Sequence, residues 1–120
     1  MEIVEEFKSK NDTEIWEIVT KYINEKKSFH SVRGIKYVAE VKNDSIFYRG
    51  GSGARAERGE SIIKDEFCEA FENIRDSELI NTNTIKDKIP NSIYAQRTPL
   101  IGLLLSTNII KNKALKWVGK

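Results

Sequence analysis

The chain has 120 residues, 39% hydrophobic and 32% charged, with a formal net charge of +2. This mix excludes a disordered chain, which would carry fewer aliphatic residues and more net charge, and residues 1–120 are expected to form a single globular domain. The lone cysteine, Cys68, excludes an internal disulfide; MEIVEEFKSK does not read as a secretory leader and no apolar run approaches the roughly 20 residues of a membrane span, so a cytoplasmic protein with no membrane partner is expected.

Ile3, Val4 and Phe7 suggest a short helical turn that breaks near Asn11. Asp12 or Thr13 can then cap a helix in which Ile15, Trp16, Ile18, Val19, Tyr22 and Ile23 recur at three- and four-residue spacing, one apolar stripe against a core. After a polar connection, Phe29 and Val32 mark a return to that core. His30 is the only histidine, and alone it cannot build a histidine metal site.

From Gly34 onward, Ile35, Tyr37, Ala39 and Val41 alternate with Lys36, Val38, Glu40 and Lys42, the two-residue period of a strand with one face buried. Asn43 and Asp44 tolerate positive φ and can turn the chain back along Ser45 to Arg49. The loop that follows, RGGSGARAERG, holds four glycines and three arginines. It has little to bury and reads as a mobile connection or an anion-contacting surface.

Ser61 is a candidate cap for a helix from Ile63 to Arg75, with Ile63, Phe67, Ala70, Phe71 and Ile74 on its buried face. The segment 81–91 is polar and turn-rich, with Thr84 a possible cap for one turn that Pro90 ends, and Ser92 to Tyr94 can begin another. Thr98 and Pro99 look like the start of a helix to about Ser106 that is apolar nearly all round, the centre of the core. Asn108 can end it in a left-handed conformation. Ile109 and Ile110 then run extended, and Ala114 to Val118 can return as a strand. The fold class expected is α+β, amphipathic helices packed on a β-hairpin or small antiparallel sheet, winged-helix-like in its order of elements.

Charge is unevenly distributed. Residues 28–59 carry six basic and three acidic side chains and residues 81–120 seven and one, while residues 60–80 carry two and seven. If the two basic segments converge they form a positive face. Arg49, Arg55 and Arg58, set among glycines, can approach phosphates, and Tyr37, Phe47 and Tyr48 lie on the adjoining hairpin. Lys86, Lys88, Gln96 and Arg97 precede the apolar helix, and Lys111 and Lys113 follow it.

Catalytic signatures are sparse. No H-E-x-x-H, C-x-x-C, G-x-S-x-G or P-loop is present, and Gly51, Gly53 and Ala56 match the dinucleotide fingerprint only loosely, after a hairpin arm instead of the first strand of a βαβ unit. Glu40 and Lys42 form an E-x-K triplet, the local half of a metal-dependent nuclease core, without a convincing acidic partner. No catalytic residue, metal or cofactor is assigned.

The run SFHSVRGIKYVAEVKNDSIFYRGGSGARAERGESIIKDEFCEAF, followed by RTPLIGLLLSTNII, resembles the small hairpin-plus-helix domains that serve as DNA-binding additions in bacterial restriction and phage-defence proteins. The likeness rests on Val32-Arg33-Gly34 leading into the hairpin, on the hairpin's aromatics and on the basic residues before the Ile63 to Phe71 helix. It implies binding of nucleic acid, duplex DNA in particular. The same surface also suits a protein-interaction module or inhibitor from a mobile element, using Tyr48, Trp117 and the acidic helix, and a nuclease-like domain is a third reading.

Overall fold

The computed structural model describes residues 1–112. Among the described residues, two sheets and five α-helices share one core. β1 (Glu2–Ile3) is followed by α1 (Glu5–Lys8) and α2 (Asp12–Lys26). α2 begins one residue earlier than the sequence suggests. Asn11 is its cap, its side chain accepting from the Glu14 N–H at 2.8 Å while the Glu14 carboxylate accepts from the Asn11 N–H, a reciprocal pair that leaves Asp12 and Thr13 inside the helix.

β2 (Ser28–His30), β3 (Lys36–Lys42), β4 (Ser45–Gly50) and β5 (Glu60–Ile63) form a four-stranded antiparallel meander in that order. Lys42 pairs with Ser45, so Asn43 and Asp44 make the two-residue turn, with Asn43 at φ 53°. The hairpin thus supplies the two inner strands of the sheet, a place that a protruding wing does not occupy. β5 has a specific consequence: Ser61 lies in a strand and caps nothing. α4 (Lys64–Ile74) starts only after Ile63, without a side-chain cap. Within the glycine-arginine loop a short helix, α3 (Ala54–Glu57), has formed.

One face of the meander carries Phe29, Tyr37, Ala39, Ile46, Tyr48 and Ile62, all buried beneath α2, α4 and α5. Phe29, Tyr37 and Tyr48 pack as an aromatic cluster with centroids 4.9 to 5.6 Å apart. α2 meets α4 through Trp16 and Phe67 at 5.3 Å. Val32 and Ile35, by contrast, stay 51% and 41% exposed, because the turn between β2 and β3 stands clear of the helices.

The polar segment 75–90 is ordered by three buried isoleucines, Ile80, Ile85 and Ile89. Thr84 does not start a helix there. It exchanges hydrogen bonds with Asn81, the Thr84 N–H donating to Asn81 Oδ1 and the Asn81 N–H to Thr84 Oγ1, both at 2.9 Å. After a 3₁₀ turn (Asn91–Gln96), α5 (Arg97–Ser106) begins two residues before Pro99. Proline fits its third position because no N–H there has an intrahelical partner to lose. Pro99 to Leu104 are buried, as an all-apolar helix requires. α5 approaches β2 so closely that a Cβ on Gly102 would lie 2.5 Å from the His30 carbonyl oxygen.

Asn108 takes the left-handed conformation (φ 62°) beyond α5, and β6 (Ile110–Lys111) then pairs with β1, Glu2 opposite Lys111. The expected strand from Ala114 to Val118 lies outside the described residues. Among the described residues no helix is long and apolar enough to cross a membrane.

Candidate nucleic-acid interface

Strand alternation puts Lys36, Val38, Glu40 and Lys42 of β3 on the face away from the helices, with Phe47 and Arg49 of β4. The antiparallel register sets Val38 against Arg49 and Glu40 against Phe47. Phe47 is half-buried and has two cations against its ring: Lys42 Nζ is 4.8 Å from the ring centroid and Arg49 Cζ 5.5 Å. Val38 is 62% exposed at the middle of this face, and α2, α4 and α5 pack on the buried side. Gly59 passes beside the exposed face. At φ 78° its missing side chain lets the backbone pass the Phe47 ring, where a Cβ would lie 2.5 Å from Cζ.

Glu40 and Lys42 form an exposed ion pair at 3.1 Å. Among the described residues no group of three His, Cys, Asp or Glu is placed to hold a metal ion.

At the end of β4 a polar network fixes the glycine-arginine loop. The single proton of the Tyr48 hydroxyl lies between Gln96 Oε1 (2.7 Å) and Glu60 Oε2 (3.0 Å). Gln96 Nε2 donates to the Ser61 carbonyl at 3.1 Å. Arg55 Nε donates to Glu60 Oε2 at 3.3 Å, and Arg55 Nη2 to the Ala95 carbonyl. Burial, reinforced by the Glu60 charge, pushes the Tyr48 phenol far above its ordinary pKa, and burial also raises Tyr37, so both remain neutral donors at neutral pH. Burial opposes the charge of Arg55, but the oxygens of Tyr48 and Glu60 outweigh it and hold the guanidinium above its ordinary value.

The sequence-predicted basic residues therefore separate by role. Arg49 and Arg58 are exposed, Arg49 on the open face and Arg58 one residue before Gly59 in the loop. Arg55 and Gln96 are tied into the Tyr48 network. Arg97 lies 4.0 Å over the Tyr94 ring, with Nε and Nη1 buried and unpartnered among the described residues. Lys88 donates to Ser77 Oγ at 2.7 Å, Lys86 is exposed on the same segment, and Lys111 is exposed on the separate β1–β6 ribbon. Lys113 lies outside the described residues. Lys36 and Lys42 join Arg49 on one face although charge counting alone did not single them out; their signal was strand parity together with the two-residue turn.

No protein-family model, curated protein or solved structure matches the chain. Function has to be read from its side chains.

Proposed function

We propose that the protein binds nucleic acid, duplex DNA in the first instance, through the open face of its four-stranded sheet. One observation carries this reading: Lys42 and Arg49 lie against the Phe47 ring on a sheet face that strand parity also gives Lys36, and the exposed Arg58 precedes Gly59, whose backbone passes that ring. The cations would neutralise phosphates. Lys42 already faces Glu40, whereas Lys36, Arg49 and Arg58 have no ion-pair partner among the described residues.

Three phosphate contacts predict that affinity for duplex DNA falls with salt at a log–log slope of about −3, from roughly −0.9 per contact. Fluorescence anisotropy on random duplex and single-stranded oligonucleotides across a salt series measures it, with Lys36→Ala/Arg49→Ala/Arg58→Ala as the control. A steep slope lost in the triple variant supports the reading, and absence of binding at low salt overturns it. A protein-interaction module is the competing reading, favoured by Val38 and Ile63, 62% and 47% exposed on the same sheet face. It predicts indifference to DNA at moderate salt and loss of partner capture in Val38→Asp.

A further inference from the structure

Beyond the open sheet face, a cleft of about 860 Å³ lies between the β2–β3 turn, the loop after β4, the 81–82 backbone and the start of α5. Its size is in the range that holds one small organic ligand, roughly 300 to 1,000 Å³. The charged side chains that line it are Arg33 and Arg55; among its described lining residues there is no carboxylate. A half-open cleft that carries the exposed Arg33 and a guanidinium edge of Arg55, whose charge is shared with Glu60 behind it, and that has no carboxylate in its own described lining favours a negatively charged ligand.

The donors are arranged for one. Arg55 is held by Glu60 and the Ala95 carbonyl through Nε and Nη2, so Nη1 is the guanidinium nitrogen left without a protein partner among the described residues. Its orientation is fixed before any ligand arrives, which lowers the entropy cost of binding. Ser31 is 5% exposed; its hydroxyl oxygen accepts the Ile35 N–H at 3.0 Å, and its own O–H has no acceptor among the described residues. Thr98, in the first turn of α5, is exposed at the wall, and that helix has neither a side-chain cap nor an acidic residue in its first turn. Ser52, Asn81 and Thr82 add neutral polar groups to the lining, and Val32, Ile35 and Ile101 add apolar ones.

From this juxtaposition we infer that the cleft binds a nucleoside monophosphate, free or at the end of a strand, its phosphate between Arg33, Arg55 and the start of α5 and its base against Val32 and Ile35. The site is separate from the open sheet face and stands whether or not that face binds nucleic acid.

Isothermal titration calorimetry of the full chain with the four nucleoside monophosphates, adenosine and inorganic phosphate tests it. At least one monophosphate should bind at micromolar to low millimolar concentration, with adenosine and inorganic phosphate weaker by about tenfold or more. Arg33→Ala should weaken that binding by about tenfold or more with an unchanged melting temperature, since Arg33 is exposed and makes no bond to the described chain. Ile35→Asp should weaken it through the base. A 5′-phosphorylated trinucleotide compared with its 5′-hydroxyl form separates a strand end from a free nucleotide, and preference for the phosphorylated form supports the site. No heat with any monophosphate, equal binding of adenosine, or an unaffected Arg33→Ala overturns it.

Discussion

Arg75 and Arg49 carry the same charge and do opposite things. Arg75 donates to the Lys8 and Lys10 carbonyls at 2.8 and 2.6 Å, to Asp12 at 3.0 Å and to Glu72 at 2.8 Å, and lies 5.0 Å over the Phe71 ring. Its charge is spent fastening the segment between α1 and α2 to the end of α4. Arg49 is exposed, touches the Phe47 ring and has no ion-pair partner among the described residues. Counting arginines along a chain cannot separate the two. What separates them is whether acceptors on other segments have already been brought to the guanidinium, and by that measure Arg55 belongs with Arg75.

The contrast is open to direct attack. Arg75→Ala should cost about 3 kcal/mol in chemical denaturation, because it leaves two carbonyls and a partly buried carboxylate without their donor, while DNA affinity stays unchanged. A loss of DNA binding at full occupancy of the folded state would erase the distinction. Tyr48→Phe should cost about 1 to 3 kcal/mol, since Gln96 Oε1 and Glu60 Oε2 lose the proton they share. Arg49→Ala and Arg58→Ala should each change stability by less than about 0.5 kcal/mol and each flatten the salt slope by about 1.

The smallest effect concerns acid. The hydrogen bond from Arg75 holds Glu72 below its ordinary carboxylate value of 4.5. Stability from this pair is therefore fully present above pH 4.5 and lost as the pH falls through the lowered value. Asp12 shares the same guanidinium but is shifted upward, by burial first and by Glu72 second, so Glu72→Gln removes one cause of the Asp12 shift along with the Glu72 charge. The stability gap between that variant and the parent should close on acidification in urea titrations; a gap that widens would contradict the assignment.

The hairpin and α5 were legible because each rests on local pattern: alternation through Ile35 to Val41 with a turn at Asn43, and an unbroken apolar run from Pro99. β5 was not, since Glu60 to Ile63 is four residues directly joined to an amphipathic helix, and pairing with Ser45 to Tyr48 overrides the helical reading of Ser61. The open face could be recovered from strand parity, which places Lys36, Lys42 and Arg49 together. The committed role of Arg55 could not, because it depends on a carbonyl at Ala95, forty residues on. Nor could the cleft, whose walls come from five separate stretches of chain.

The β1–β6 ribbon bears on how quickly the fold assembles. The meander joins strands that are neighbours in sequence, all within residues 28–63, whereas Glu2 meets Lys111 only after nearly the whole described chain has been drawn into a loop. Loop-closure entropy makes the distant pairing the slower contact, so the meander is expected to form on the early side of the folding barrier and the ribbon on the late side. Substitutions in the ribbon should then accelerate unfolding and leave the refolding rate almost untouched, a kinetic signature opposite to that of changes at the Asn43 turn.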